Sequence, residues 1–499
     1  MTNYTKKAAK STVIIFIATL AAAFFGYIVR IFFAKNLTIE EFGLFYSIIA
    51  FLGLFNIFKS LGVDKSLAYF IPKFNSEKNK KNADKAIGYS ITILFATNII
   101  FIIGIFLLSN FLGKYYFKNN DAQLILLIMA GGFFIDSFTN IIKYAAQGYQ
   151  EMIPFSTLDL ARMILIIIIS YFAFKINHNI FGPVAAYAIT PLLLLIFYYY
   201  IFFKKVFEFK IENFRFSKKL SYNLRNYGFQ ILLLYSGGII LSYSGTIILT
   251  YFRSLSEVGI YNAVYPLTLL LGYIPLTITN VLVPITSELK NKGMLNHLKD
   301  GIKIVYMYPF LFIIPASLLL GFFSKTIIFI LFQPQYLSGS NTLKILAAGS
   351  VFYSLHVITY SILMGIGKPK LNTKIVISGG IINIILSLAL IPKLGFFGAA
   401  VATSSSYILM SIMGILIIRK YINIKMPYIQ WFKITISSLI SLLAISFLSK
   451  KILLALIPKT FVLLIIFSVI YAIIILFMRT LSIEEIKNLM KRFKKDIKT

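Results

Sequence analysis

The sequence contains no cysteine among its 499 residues. This excludes disulfides, thiolate metal sites and cysteine nucleophiles. Its three histidines, His178, His297 and His356, are scattered without metal-ligand spacing. Acids are also scarce, with 17 Asp and Glu against 49 Lys and Arg. There is no P-loop, and so no self-contained ATPase. No Gly-rich loop follows a strand, and no acidic catalytic pair sits in a polar loop. The loops are too short to hold an enzyme domain. These absences read as a non-enzyme that needs no metal and no cofactor.

What the chain does have is apolar length. Hydrophobic residues make up 59% and charged residues 13%, and the mean hydropathy is +0.84. A soluble domain carries about 25% charged residues. A bilayer can bury this much apolar surface, and it requires runs of about 20 residues. The net charge of +32 would point to nucleic acid in a soluble protein. Here the lysines crowd loops, as cytoplasmic loops of membrane proteins do, so no nucleic-acid partner is expected. Lys6, Lys7 and Lys10 precede an apolar run containing Ala21, Ala22 and Ala23. That run continues to Phe33, too long for a signal peptide, and reads as a first transmembrane helix.

Apolar runs predict spans near 11–34, 43–71, 86–111, 122–146, 156–175, 181–203, 226–252, 258–286, 302–324, 342–365, 372–392, 396–418, 430–448 and 460–478. The expected fold is therefore an all-α integral membrane protein with 14 transmembrane helices and both termini on one side. Loop charges support this. Five lysines between Lys73 and Lys85 lie in one loop, and seven basic residues between Lys204 and Arg225 in another. Most loops of opposite parity hold one or two. Only Lys450, Lys451 and Lys459 break the pattern. The positive-inside rule places both termini in the cytoplasm of a plasma-membrane protein.

The chain also repeats itself at a spacing of 216–217 residues. Glu41-Phe42-Gly43-Leu44-Phe45 matches Glu257-Val258-Gly259-Ile260-Tyr261. Residues 126–132 match 343–349, Gly148 matches Gly365, and 182–186 match 398–402. A period of six spans inserts both copies in the same orientation, the parallel-repeat plan of some secondary transporters. The expected organisation is an N-lobe (1–203), a basic amphipathic cytoplasmic linker (204–225), a C-lobe (226–419), and two further helices with a basic tail (420–499). Phe207, Phe209, Ile211, Phe214 and Phe216 make the linker an interfacial segment.

Charges at membrane depth cost about 2.5–3.5 kcal/mol each and commonly face a cavity or a partner. The first lobe holds several: Arg30 in span 1, Asn56, Lys59, Asp64 and Lys65 in span 2, and Asp159 and Arg162 in span 5. In span 4, Asp136, Asn140, Lys143 and Gln147 step by 4, 3 and 4 residues and share one helical face. This stripe is the strongest cavity candidate. Arg30 and Lys65 could instead snorkel to an interface, and Asp159 with Arg162 could form a structural pair. The second lobe offers mainly hydroxyls and amides, including Gln230, Ser244, Asn262, Asn280, His356 and Asn383. His356 reads more readily as a packing residue than as a ligand contact.

At this point the residues resemble a known family. Gly43-Leu44-Phe45, then Leu61-Gly62-Val63-Asp64-Lys65-Ser66 and Tyr69-Phe70-Ile71-Pro72-Lys73, are similar to the opening of polysaccharide-biosynthesis flippases. Tyr336-Leu337-Ser338-Gly339, the stretch from Gly365 through Pro369-Lys370, and Ile391 through Thr403 carry the same likeness. These are the O-unit or Wzx-type transporters of the multidrug/oligosaccharidyl-lipid/polysaccharide exporter superfamily. The resemblance implies two six-helix lobes around a cavity that opens alternately to each side. The implied substrate is a polyprenyl-linked oligosaccharide, moved by its phosphate or pyrophosphate to the outer leaflet. Arg30, Lys59, Lys143 and Arg162 would contact its acidic groups. Asp136, Asp159 and Asp64 would hold those cations or couple an ion. Asn56, Asn140, Gln147, Gln230, Asn262, Asn280 and His356 would line the cavity. Membrane lipids, a proton or sodium ion, and a glycan polymerase or glycosyltransferases are the implied partners. A multidrug exporter of the same superfamily, a flippase for the lipid-linked peptidoglycan precursor, and a non-transporting scaffold are the alternatives. Of these, the scaffold has no need of buried charge.

Overall fold

The computed structural model describes residues 3–207, 210, 212 and 217–478, with the side chains of 3–13, 56–58, 280 and 281 outside that description. Seven residues of the expected interfacial linker, Phe209, Ile211, Phe214 and Phe216 among them, and the basic tail from Arg479 onward lie outside the described residues. The described residues fold as helices joined by short turns. Twelve of these helices are long and apolar enough to cross a bilayer, so the protein is a multi-pass integral membrane protein. The chain forms two compact units. One comprises 1–266, 331–339 and 373–406, and the other 267–330, 340–372 and 407–499.

The first unit opens with α1 (Asn3–Asn36), α2 (Ile39–Ser60) and α3 (Val63–Ser76). A capping box starts α2. Thr38 Oγ1 accepts from the Glu41 N–H (3.2 Å), and the Glu41 carboxylate accepts from the Thr38 N–H (2.9 Å). Between α2 and α3 the chain turns through two left-handed residues, Leu61 (φ 48°) and Gly62 (φ 71°). The region predicted as one span at 43–71 is therefore a broken helix. There follow α4 (Lys80–Phe111), α5 (Ala122–Gly148), α6 (Met152–Ile176) and α7 (Phe181–Tyr198). Then come α8 (Lys218–Phe252) and α9 (Leu255–Leu269), whose last residues pass into the second unit. Helix α5 packs on α3, α4 and α7, and α1 packs on α6.

Glycines set the closest helix crossings of this unit. A Cβ on Gly132 of α5 would stand 2.7 Å from Ala188 Cα of α7. A Cβ on Gly43 of α2 would collide with the Leu255 carbonyl of α9, and one on Gly259 of α9 with the Ile39 carbonyl of α2. The break at Gly62 meets Gly228 of α8 in the same way, each hypothetical Cβ striking the other's backbone.

The second unit is built on α10 (Tyr273–Asn291), α11 (Leu295–Met307), α12 (Phe310–Phe322), α13 (Ser324–Leu331) and α14 (Ser340–Gly365). Helix α14 packs on α10 and α12. The crossing with α10 is close at Gly365, where a Cβ would lie 2.6 Å from Thr286 Cβ. Helix α15 (Pro369–Tyr421) runs through both units and is interrupted at Gly395 (φ 57°, ψ −138°). The chain then closes with α16 (Tyr428–Lys451) and α17 (Leu456–Phe477). The Trp431 indole N–H donates to the Tyr306 carbonyl (2.6 Å), and Tyr306 OH pairs with Thr359 Oγ1 (2.6 Å). Phe323, Ile445, Leu463 and Phe467 close an apolar cluster that involves α16 and α17.

Candidate functional site

The intramembrane charges of the first unit sort into pairs and singles. The α5 stripe is half-buried at all four positions, Asp136, Asn140, Lys143 and Gln147. Its partners come from α6. Arg162 Nη2 lies 2.6 Å from Asp136 Oδ1, and Lys143 Nζ lies 2.5 Å from Asp159 Oδ2. Spacing offered a pair of Asp159 with Arg162 on their own helix as one reading. The structure instead crosses the pairs, each α6 residue taking a partner on α5. Asp136 also accepts from Thr139 Oγ1 (2.9 Å) and Asn140 Nδ2 (3.3 Å). Two cations expected to meet substrate are thus neutralised inside the protein.

Arg30 stands apart from these pairs. Its guanidinium carbon lies 4.0 Å from the centroid of the Tyr46 ring, and Nη1 donates to the backbone carbonyl of Asn262. Among the described residues no carboxylate pairs with it. Planar guanidinium over an aromatic face is a favourable, weakly hydrated arrangement that leaves further N–H groups for an oxyanion.

Lys59 is more deeply enclosed. It is 3% exposed, and its ammonium donates to the Phe133 carbonyl (2.7 Å) beside the rings of Phe133 and Phe101. Packed this way it presents no open cation. Lys65, for which snorkelling to an interface was one of the readings, stands beside the α2–α3 break with Nζ 3.9 Å from the centroid of the Tyr235 ring. Asp64 next to it is 6% exposed. The usable hint for Lys65 was its position three residues past Gly62.

The polar positions diverge. Asn262 is buried, accepting from Thr246 Oγ1 (3.3 Å) and donating to the Val258 carbonyl (3.0 Å). Ser244 donates to Asn383 Oδ1 (2.6 Å), and Tyr261 OH pairs with Thr403 Oγ1 (3.3 Å), which also accepts from Asn383 Nδ2 (3.4 Å). Gln230 is exposed on α8. His356 is buried in the second unit, with Nδ1 lacking a hydrogen-bond partner among the described residues. The side chains of Asn56 and Asn280 lie outside the described residues.

A family model described as polysaccharide biosynthesis protein matches residues 8–290. An uncharacterized membrane protein of Methanocaldococcus jannaschii is 32% identical over 98% of this chain and 99% of its own length. The probable low-salt glycan biosynthesis flippase Agl15 of Haloferax volcanii is 27% identical over 45% of this chain and 48% of its own. Among solved structures, the lipid II flippase MurJ in an inward closed conformation matches with a TM-score of 0.76 at 18% identity. That match covers 94% of this chain and 99% of the other. At that identity the likeness establishes a common fold.

Proposed function

Because the chain belongs to the polysaccharide biosynthesis protein family, we propose that it is a flippase for a lipid-linked glycan. It moves a polyprenyl-linked oligosaccharide, by its phosphate or pyrophosphate, from the cytoplasmic to the outer leaflet through alternating access. The observation that carries this reading is Arg30, a guanidinium at membrane depth with no carboxylate partner among the described residues. A charge held there needs a counter-ion, and a phosphate oxyanion fits the guanidinium fork. The wider charge count agrees. Arg30, Lys59, Lys65, Lys143 and Arg162 outnumber Asp64, Asp136 and Asp159 by two. An anionic head group of comparable charge would offset that excess.

We propose 14 crossings for this transporter, with both termini cytoplasmic. Helices α2 and α3 count as one broken span. Helix α15, 53 residues long, counts as two, since it would measure about 80 Å against a hydrocarbon core of about 30 Å. Paired features support two homologous lobes, 1–203 and 226–419. The Glu41 carboxylate accepts from the Ile180 N–H, and the Glu257 carboxylate from the Phe396 N–H, both at 3.3 Å and both 139 residues away. Gly148 meets the Leu67 carbonyl and Ile71 as Gly365 meets the Val283 carbonyl and Thr286. Each contact recurs 215–217 residues on. An ion gradient as the energy source, and glycan-assembling enzymes as neighbours, belong to the same proposal.

The test uses proteoliposomes and a fluorescent polyprenyl-pyrophosphate oligosaccharide, read by a membrane-impermeant quencher. The unmodified protein should move it. Losing a charged hydrogen bond worth about 1.5–3 kcal/mol should slow Arg30→Gln by roughly 10- to 150-fold, with Arg30→Lys in between. No movement by the unmodified protein would sink the flippase reading. An unimpaired Arg30→Gln would remove the anion site.

A further inference from the structure

The break between α2 and α3 borders a cavity of about 170 Å³. Its origin is local. The two left-handed residues Leu61 and Gly62 open the helix, and the Gly62–Gly228 contact draws α8 against the opening. One helical turn and two turns further along α8, Ile231 and Tyr235 form one wall. Asn140 and Tyr144, one turn apart on α5, form another. Ser60, Asp64 and Lys65 supply the polar floor.

Two observations mark this as a binding site. Asp64 is 6% exposed, and its Oδ1 is buried with no hydrogen-bond partner among the described residues. Its place in the first turn of α3 favours the negative charge but does not satisfy that atom. Lys65 makes no ion pair among the described residues and rests its ammonium on the Tyr235 ring. A carboxylate with an unmet oxygen beside an ammonium that pairs with no acid among the described residues, both lining one cavity, is an unfinished hydrogen-bond network.

We propose that this cavity takes one neutral sugar ring of the transported glycan, held through two adjacent hydroxyls between Asp64 and Lys65. The inference rests on the flippase reading above and adds a second subsite to the Arg30 anion site. The charges of Asp64 and Lys65 cancel, so the cavity has little net attraction for an anion or a cation. Each hydroxyl carries one donor and two acceptor lone pairs. A vicinal pair can therefore give a proton to the carboxylate and accept one from the ammonium. Asn140 donates to Asp136, which leaves its carbonyl oxygen for a third hydroxyl. The space holds several waters' worth of room, enough for one pyranose ring. Tyr144 and Tyr235 supply flat walls with polar edges.

The experiment follows thermal unfolding of the full-length protein in detergent with two separate probes. One is a panel of methyl glycosides of glucose, galactose, mannose and N-acetylglucosamine at millimolar concentration. The other is a polyprenyl phosphate without sugar. At least one glycoside should stabilise the unmodified protein. Asp64→Asn and Lys65→Met should each weaken that glycoside tenfold or more and leave the polyprenyl-phosphate shift intact, which also reports correct folding. Arg30→Gln should do the reverse. If Asp64→Asn fails to fold, Lys65→Met carries the test alone. A polyprenyl-phosphate shift with no glycoside shift overturns the sugar subsite and leaves the flippase reading standing. The absence of both shifts overturns the two together. A glycoside shift that survives the substitutions, or an Asp64-dependent shift with sodium in place of glycoside, overturns the subsite.

Discussion

The crossed ion pairs between α5 and α6 make a quantitative prediction. Arg162 and Asp136 approach to 2.6 Å with side chains 21% and 17% exposed. At an effective dielectric of about 20, that distance corresponds to a gross attraction of about 6 kcal/mol, most of it offset by lost hydration. Removing one partner leaves the other charged and enclosed, at a cost of 3–5 kcal/mol in comparable buried pairs. With one-fifth of each side chain still solvated, about 3 kcal/mol is expected for Arg162→Gln, and the same for Asp136→Asn. In the first case Asp136 keeps only the Thr139 hydroxyl and the Asn140 amide as donors. The double variant removes both charges together and should cost no more than either single change, so the coupling energy is about 3 kcal/mol. Equilibrium unfolding of the purified protein by SDS titration measures all four corners of this cycle. Additive losses of about 6 kcal/mol in the double variant, or singles below about 0.5 kcal/mol, would refute the reasoning.

Two further outcomes are expected. Gly259→Val puts a branched side chain against the Ile39 carbonyl, and overpacking of this kind costs about 1–3 kcal/mol. Its monodisperse yield on size-exclusion chromatography should fall, whereas Gly238→Ala, with nothing within 4 Å of the added carbon, should match the parent or exceed it. The chain's lack of cysteine permits single-cysteine labelling without background. Lys78→Cys and Lys292→Cys should react with a membrane-impermeant maleimide only from the cytoplasmic side, and Lys118→Cys and Lys175→Cys only from outside. Any reversal within these four would break the 14-span topology.

One face of the candidate site was legible because a helix has a period. Asp136, Asn140, Lys143 and Gln147 read as one face from their spacing, and all four sit half-buried on α5. Which cation each acid holds was not legible. One turn of helix brings Asp159 and Arg162 near each other, but the packing of α6 on α5 offers each a closer partner of opposite sign. The setting of Lys65 was not legible for a related reason. Hydropathy places a lysine near a span end at the interface, and it has no means of showing that the helix breaks three residues earlier. Lys59 shows the converse. Its charge suggested a cavity, and the carbonyl of Phe133 claims it instead.

Composition and apolar run length by themselves determined that this chain lives in a bilayer, because transfer of apolar surface is nearly additive along the sequence. The absence of cysteine and of nucleotide-binding motifs bounded its chemistry in the same local way. The tertiary structure decided which charges remain unpaired. Among the described residues Arg30 is left without an acid, Lys143 and Arg162 are given one each, and a cavity opens where Gly62 meets Gly228. Coulomb energy and hydrogen bonding depend on ångström distances between residues far apart in the chain, and only folding sets those distances.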